Sequence, residues 1–322
     1  MGEIMRMITL RSGFKMPALG LGTWKTKTAK VYDVVRQAIA CGYRHIDCAP
    51  IYMNQEAVGR ALQDAIQAGD VTREELWITS KLWNTSHAPD AVLPAFESTL
   101  KELRLDYLDL YLMHWPVAMR EELGFGHARS GQDYIALEEL PLIDTWQAME
   151  ALPQECVRTI GVSNFSAQKI DQLCESANRI PVVNQVECHP YLQQQKLYEA
   201  CHRHNIHLTA YSPLGSGDRP DMIKQVDEPV VLRDPVIARL AAQLGITSAQ
   251  LILAWLQQRG WSVIPKSSHA GRLTENLASA DVVLSEEVMD AIAAINQDYR
   301  LVSGSFFAIP GSPYSVSSIW DE

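Results

Sequence analysis

Several features are scarce in this sequence, and each scarcity argues against a class of protein. Cations are outnumbered: 28 Lys and Arg against 38 Asp and Glu leave a net charge of −10. Without a surplus of phosphate-neutralising side chains, a nucleic-acid partner is not expected, although one small basic pocket stays compatible. Six cysteines are spread over 322 residues, with no C-x-x-C pair and no metal-ligand spacing. They read as reduced thiols filling core space, which points to a cytoplasmic protein with no metal. No run of ~18 apolar residues exists to span a membrane, and the N-terminus lacks the roughly 7–15-residue apolar stretch of a signal peptide. A glycine-rich phosphate turn is missing too, since "GLGTW" does not complete the pattern of a doubly wound dinucleotide fold. No internal repeat or linker is visible, so residues 1–322 are expected to form one domain.

What is present is an ordinary globular balance, 47% hydrophobic and 20% charged. Eight short β-rich runs alternate with helical patterns. They are Ala18–Trp24, His45–Ala49, Leu76–Leu82, Tyr107–Trp115, Thr159–Phe165, Val182–Glu187, His207–Leu214 and Ser262–Ser268. Between them helical periodicity recurs, as where Val31, Val34, Val35 and Ile39 share one face and Gly42 supplies the stop. Eight strands in series with helices predict an α/β chain folded as a (β/α)8 TIM barrel, for which ~250 residues is typical. Upstream, residues 7–17 read as a β-hairpin turning at Ser12-Gly13 and plugging the barrel bottom. Three irregular pieces, 117–143, 215–234 and the tail 300–322, are placed to reach the catalytic face.

In such a barrel the chemistry belongs to the C-terminal strand ends. The second run ends at Asp47 with Tyr52 just beyond it, the third delivers Lys81 and the fourth His114. A free phenol, with a pKa of ~10, is a poor proton donor near neutrality. An ammonium beside it is expected to lower that pKa, and a carboxylate beside the ammonium to hold the cation in place. Asp47, Lys81 and Tyr52 form such a chain on paper, with His114 free to orient a carbonyl oxygen. Taken singly, each has a bland reading: a helix N-terminal anion, a packed aromatic, a solvated lysine, a core histidine. Four such groups converging on one barrel mouth favour the chemical reading.

Later strand ends supply groups suited to a flat ligand. Ser163, Asn164 and Gln185 can grip an amide, and the Tyr211 ring can stack on an aromatic base. After the eighth run, Lys266 and Arg272 flank a turn that enters a helix, an anion site built from two cations and helix N–H groups.

The stretches "GYRHIDCAPIYMNQEAVG", "LDYLDLYLMHWP", "IGVSNFS", "NQVECHPYLQQ", "AYSPLGSG" and "IPKSSHAGRLTEN" resemble successive signatures of the aldo-keto reductases, closest to the aldehyde/aldose reductase branch. The resemblance runs from about Leu10 to the C-terminus. It implies a barrel that binds NADP(H) and reduces a small-molecule carbonyl substrate to an alcohol, with a monomer the common state. On the matching positions it implies Tyr52 as general acid/base, Asp47 and Lys81 tuning it, and His114 orienting the carbonyl. Ser163, Asn164 and Gln185 would hold the nicotinamide carboxamide, with Tyr211 stacked on the ring. Thr23, Trp24, Ser212, Leu214 and Ser216 would line the pyrophosphate path. Lys266, Ser267, Ser268, His269 and Arg272 would surround the 2′-phosphate, with Glu275 and Asn276 at the adenine. Trp24, Trp83 and Trp115 would wall an apolar substrate pocket, and Ser303, Ser305 and Tyr314 are further candidates to meet substrate hydroxyls. Three departures stand out: Met53 where a glycine is common, a glycine-free "MEALPQECVR", and the pair Ser268 and His269 at the phosphate turn. An NADP(H)-binding redox sensor with incidental turnover is the alternative. A metal hydrolase on Asp47, His114 and His189 lacks any recognisable ligand spacing.

Overall fold

All eight apolar runs become strands in the computed structural model, which describes residues 6–221, 224 and 227–322. In chain order the barrel strands are β3 (Leu21–Gly22), β4 (His45–Asp47), β5 (Trp77–Leu82) and β6 (Leu108–Met113). They continue with β9 (Val157–Ser163), β10 (Val183–Glu187), β11 (His207–Tyr211) and β12 (Ser262–Val263). Each pairs in parallel with its sequence neighbour. The sheet closes where Leu19 bridges Val263 in parallel, with Val263 N–H donating to Ala18 O at 2.8 Å. The architecture is the expected (β/α)8 barrel.

Helices cover the outside because their apolar residues recur every three or four positions. In α1 (Thr28–Cys41) the buried set is Val31, Val34, Val35, Ala38 and Ile39. Gly42 ends that helix at φ 108°, a left-handed cap in which its N–H reaches the carbonyls of Ala38 and Ile39. The other shell helices are α2 (Gln55–Gln67), α3 (Pro89–Leu103), α4 (Leu142–Glu150), α5 (Ala167–Ser176), α6 (Gln195–Arg203), α7 (Pro235–Leu244), α8 (Ser248–Gln258), α9 (Ala270–Leu277) and α10 (Glu286–Ala293). The seventh connection thus carries two helices, α7 and α8, where one was expected. The glycine-free stretch Ala151–Cys156 still turns from α4 to β9: Ala151 stays right-handed and Cys156 N–H donates to Pro153 O at 3.0 Å. Among the described residues no single helix is long and apolar enough to cross a membrane.

The hairpin β1 (Met7–Thr9) and β2 (Lys15–Pro17) turns at Gly13, whose φ is 85°. Leu10 and Met16 pack on Trp77, Leu110, Leu112, Val182 and Val183, sealing the floor of the barrel. Just above that seal the interior is polar. His45 Nε2 lies 3.3 Å from Thr79 Oγ1, and Ser262 Oγ lies 3.0 Å from His207 Nε2 and 2.7 Å from Thr209 Oγ1.

Two of the irregular pieces are more ordered than expected. Residues 117–143 contain a small hairpin, β7 (Ala118–Met119) and β8 (Tyr134–Ile135). Tyr314 pins it, donating its hydroxyl proton to Ile135 O at 2.6 Å and accepting from Ala118 N–H at 3.0 Å. The tail ends in a short helix, α11 (Val316–Trp320), started by Ser315, whose side chain accepts from Ser318 N–H. Lys169 ties it down through Asp321 at 2.8 Å and Ser318 O at 2.7 Å. Side-chain partners far along the chain create this order, which local periodicity does not report.

Candidate active site

Side chains alternate along a strand, so every second residue faces the barrel axis. His45 and Asp47 on β4, Thr79 and Lys81 on β5, and Gln185 and Glu187 on β10 follow that rule and rise toward the C-terminal mouth. There Lys81 Nζ sits 2.6 Å from Asp47 Oδ1, 2.9 Å from Cys48 O and 3.4 Å from the Tyr52 hydroxyl. Gln185 Nε2 donates to the other Asp47 oxygen at 2.7 Å. Both members of the ion pair are buried, and Tyr52 follows them from a tight turn at Pro50–Tyr52. The three residues expected to act as a chain are in contact in that order.

The direction of the phenol's perturbation differs from expectation. Burial, with Asp47 and Cys48 adding to it, pushes the Tyr52 hydroxyl well above its ordinary range. Lys81 was expected to lower it. The cation lies closer to the carboxylate than to the phenol, so the carboxylate offsets most of its field at the ring while desolvation goes uncompensated. Tyr52 therefore rests as a protonated phenol.

His114, just past the end of β6, meets Tyr52 edge-on at 6.0 Å between ring centroids and Trp83 at 5.3 Å. Burial, then the neighbouring Lys81 and His87, push its imidazolium well below the ordinary range, so the ring is neutral. Ser163, Asn164, Gln185 and Tyr211 form one network beside it. Tyr211 donates its hydroxyl proton to Asn164 Oδ1 at 2.7 Å, Asn164 Nδ2 donates to His114 O at 2.9 Å, and Ser163 Oγ donates to Gln185 O at 2.8 Å.

These groups open onto one cleft of about 1270 Å³. At one end its walls are Trp24, Tyr52, Trp83, His114 and Trp115; at the other are Lys266, Ser267, Ser268, His269, Arg272, Glu275 and Asn276. Asp47, Ser163, Asn164, Gln185, Tyr211, Ser212, Leu214 and Ser216 line the span between. Thr23 is not on the wall: it is buried behind it, and its hydroxyl donates to Asp47 O at 2.8 Å. Lys81 likewise acts from beneath the surface. Ser305 lines the cleft, whereas Tyr314 is spent on the hairpin and Ser303 O accepts from Trp320 Nε1 at 2.7 Å.

The structure adds residues that sequence reasoning missed. Asp218 lies over the cleft and binds Lys25 from one side and Lys266 from the other, the latter at 2.9 Å. Lys25 also donates to Ser216 Oγ at 2.7 Å. Burial opposes the Asp218 charge, but hydrogen bonds from the two lysines hold its pKa at about 2. No spacing rule links positions 25, 218 and 266; only barrel closure brings those loops together. Phe306 and Phe307 extend the aromatic wall, 5.7 and 5.2 Å from Trp115, and the aromatic content of the tail was the one signal for them.

Five residues of this rim hold left-handed backbone. Lys25, Met53, Asn164, Ser212 and Ser216 have φ between 45° and 63°, and all line the cleft. L side chains persist there only where the surrounding structure over-determines them, which is commonest at functional sites. Met53, standing where a glycine is common, adopts the left-handed conformation that a glycine adopts without strain.

Comparison with known proteins gives a consistent result. The model of the "Aldo/keto reductase family" matches residues 18–297. "Aldo/keto reductase slr0942" of Synechocystis sp. is 50% identical over 319 residues, covering 99% of this chain and 97% of that protein. "Aldo-keto reductase family 1 member A1" is 44% identical in Bos taurus and 43% in Homo sapiens, each over 297 residues, or 92% of this chain and 90% of theirs.

Proposed function

The chain belongs to the aldo/keto reductase family, oxidoreductases of small carbonyl substrates, and from that premise we propose that it reduces aldehydes to alcohols with NADPH, using Tyr52 as proton donor. The observation that carries this reading is the lysine shared by a buried carboxylate and a phenol, 2.6 Å from one and 3.4 Å from the other, at the mouth of a long cleft.

The cleft suits the cofactor. At one end two cations, Lys266 and Arg272, flank the start of α9, whose preceding residue His269 makes no side-chain cap. Unmet helix N–H groups beside cations are the chemistry of a phosphate site. Lys266, Ser267, Ser268, His269 and Arg272 would hold the 2′-phosphate, with Glu275 and Asn276 at the adenine. Trp24, Ser212, Leu214 and Ser216 would line the pyrophosphate path beneath the Asp218 strap. Ser163, Asn164 and Gln185 would meet the carboxamide, and Tyr211 would lie against the ring. NADPH, when bound, supplies the hydride.

The chain's own residues supply orientation and the proton. Neutral His114 donates a hydrogen bond to the carbonyl oxygen and holds it against the Tyr52 hydroxyl. As negative charge grows on that oxygen it becomes a far stronger base than a phenolate, so even a phenol of raised pKa gives up its proton. Lys81 then faces the phenolate at 3.4 Å, and Asp47, held by Gln185, keeps the ammonium in place. Trp24, Trp83 and Trp115, joined by Phe306 and Phe307, exclude water from the transfer and select an uncharged, partly apolar carbonyl. The six cysteines are free thiols, in keeping with a reducing compartment such as the cytoplasm.

Tyr52→Phe tests the reading. Its kcat with an aromatic aldehyde should fall by about 10²–10⁴-fold, the usual worth of a positioned acid, while NADPH binding followed by fluorescence stays near that of the wild type. Retained turnover would overturn the assignment.

A further inference from the structure

A second carboxylate is sealed into the mouth of the barrel and plays no part in the chemistry above. Glu187 ends β10 two residues after Gln185, so strand alternation turns it to the same side. It is fully buried. Its Oε1 accepts from His189 Nε2 and from Leu301 N–H, each at 2.8 Å, and its Oε2 accepts from Val302 N–H at 2.7 Å. His189 is fully buried as well.

What this carboxylate grips lies 114 and 115 positions downstream, at the point where the tail crosses back over the cleft. Two successive backbone N–H groups converge on one carboxylate, which fixes both the position and the direction of the chain leaving Val302. From there Val302, Ser305, Phe306 and Phe307 line the cleft. A second grip follows at once, because Trp320 Nε1 donates to Ser303 O at 2.7 Å. The Arg300 guanidinium stacks 3.7 Å over the same Trp320 ring. A segment merely needing attachment would be held as well by apolar packing, without the cost of desolvating a charge. A carboxylate with directed bonds to two amides sets a location as well as an attachment.

Resting on the reductase reading above, we propose that Glu187 is a positioning residue: by holding the Leu301 and Val302 amides it sets how far the aromatic wall of the tail stands from the Tyr52 hydroxyl. Fit of a bulky carbonyl substrate then depends on a group that touches neither substrate nor cofactor. Glu187→Gln keeps the size of the side chain, but its amide nitrogen cannot accept, so one of the two tail amides loses its partner.

Misplacement of a substrate wall by a fraction of an ångström is felt chiefly by substrates large enough to touch it. In Glu187→Gln, kcat/KM for benzaldehyde should fall about tenfold relative to that for propanal, mostly through KM, with NADPH affinity unchanged. A merely structural loss would lower both aldehydes in proportion. Hydrogen exchange at residues 300–304 should be faster in the variant than in the wild type. Glu187→Asp, whose shorter arm keeps the charge, should fall between the two and replaces the amide variant if that one does not fold. An unaltered benzaldehyde-to-propanal ratio in a folded variant would overturn the proposal, as would unaltered exchange. Wild-type protein inert toward both aldehydes would overturn the reductase reading instead, and the exchange comparison would still decide whether the carboxylate holds the tail.

Discussion

Two aspartates are buried at opposite ends of this barrel, and their surroundings differ in one decisive respect. Near the floor, Asp109 accepts from Arg73 and from Ile78 N–H, both at 2.8 Å, and from Arg158 at 2.7 Å. The two guanidinium groups in turn stack on the Tyr107 ring at 3.8 and 4.3 Å. Every strong donor in that cluster ends on a group that stays put. At the mouth, Asp47 accepts from Lys81 and Gln185, but the lysine has a further neighbour, the Tyr52 hydroxyl, which opens onto the cleft. Burying an ion pair is costly at either end and is weak evidence for stability by itself. The floor cluster uses that arrangement to join strands; the mouth cluster leaves one member, the Tyr52 hydroxyl, facing the cleft.

Removing one cation from each cluster should separate the two roles. Lys81→Met leaves Asp47 buried without its counter-ion, so unfolding free energy should drop by about 3–5 kcal/mol. Its kcat should fall by about 10²-fold or more. Chemical denaturation and aldehyde turnover read the two effects. Arg158→Met leaves Asp109 with Arg73 and the Ile78 amide, so the same measurements should show a loss of about 1–2 kcal/mol and an unaltered kcat. A kcat loss of similar size in both variants would erase the distinction.

Acid should act through the buried histidines, near the floor as well as at the mouth. Burial pushes His45 and His207 down to about 4, with the nearby Asp47 charge opposing the shift at His45 and the His45 ring adding to it at His207. The unfolded chain takes up protons at both sites below pH ~6.5, whereas the native protein does not until about pH 4. Stability should therefore be flat above pH ~6.5 and fall as pH drops from there toward 4, by up to about 3 kcal/mol for each histidine. Urea midpoints between pH 7 and 4 should trace this fall, and because His87 and His114 are also buried and held neutral, His207→Gln should remove about a quarter of it. Since Tyr52 is pushed upward rather than downward, kcat for reduction should show no fall from pH 6 to about 9.

Arg272 contrasts with Lys266 at the end of the cleft beside α9, the proposed phosphate site. Lys266 is already paired with Asp218, whereas the Arg272 guanidinium has no hydrogen bond or ion pair among the described residues. Arg272→Ala should therefore lower the preference for NADPH over NADH about tenfold or more without changing thermal stability. An unchanged ratio of kcat/KM values with the two cofactors would remove Arg272 from the phosphate site.

The smallest effect concerns strain. Residues with side chains adopt left-handed backbone at the rim, as Arg104 and Gln194 do at helix ends away from it. Met53→Gly should raise stability by about 1 kcal/mol, read as an increase in Tm, because a left-handed Met is the costlier of the two. A lowered Tm would show that the Met53 side chain holds more than the backbone loses.

How much of this was visible in the residues alone depended on the range of the cause. The eight strand runs and the α1 face rest on local periodicity, so they were legible within about a dozen residues each. Asp47, Lys81 and His114 were legible as polar interruptions at the ends of apolar runs. The Asp218 strap, the Tyr314 pin on the hairpin and the Glu187 grip on the tail join positions from 48 to 196 residues apart. No local pattern encodes such pairs. The sign of the Tyr52 perturbation was misjudged for a related reason: it depends on which of two partners the lysine stands closer to, and on how much water is excluded.

The order of apolar and polar residues was sufficient to determine a closed parallel barrel and the set of groups crowded at its mouth, because both follow from periodicities of two and about 3.6 residues. Which side chains stay neutral, which buried carboxylate lies next to a group that opens onto the cleft, and where the tail comes to rest were decided only on folding. Those outcomes depend on distances of a few ångströms and on the loss of solvent, quantities that exist only once distant segments have packed together.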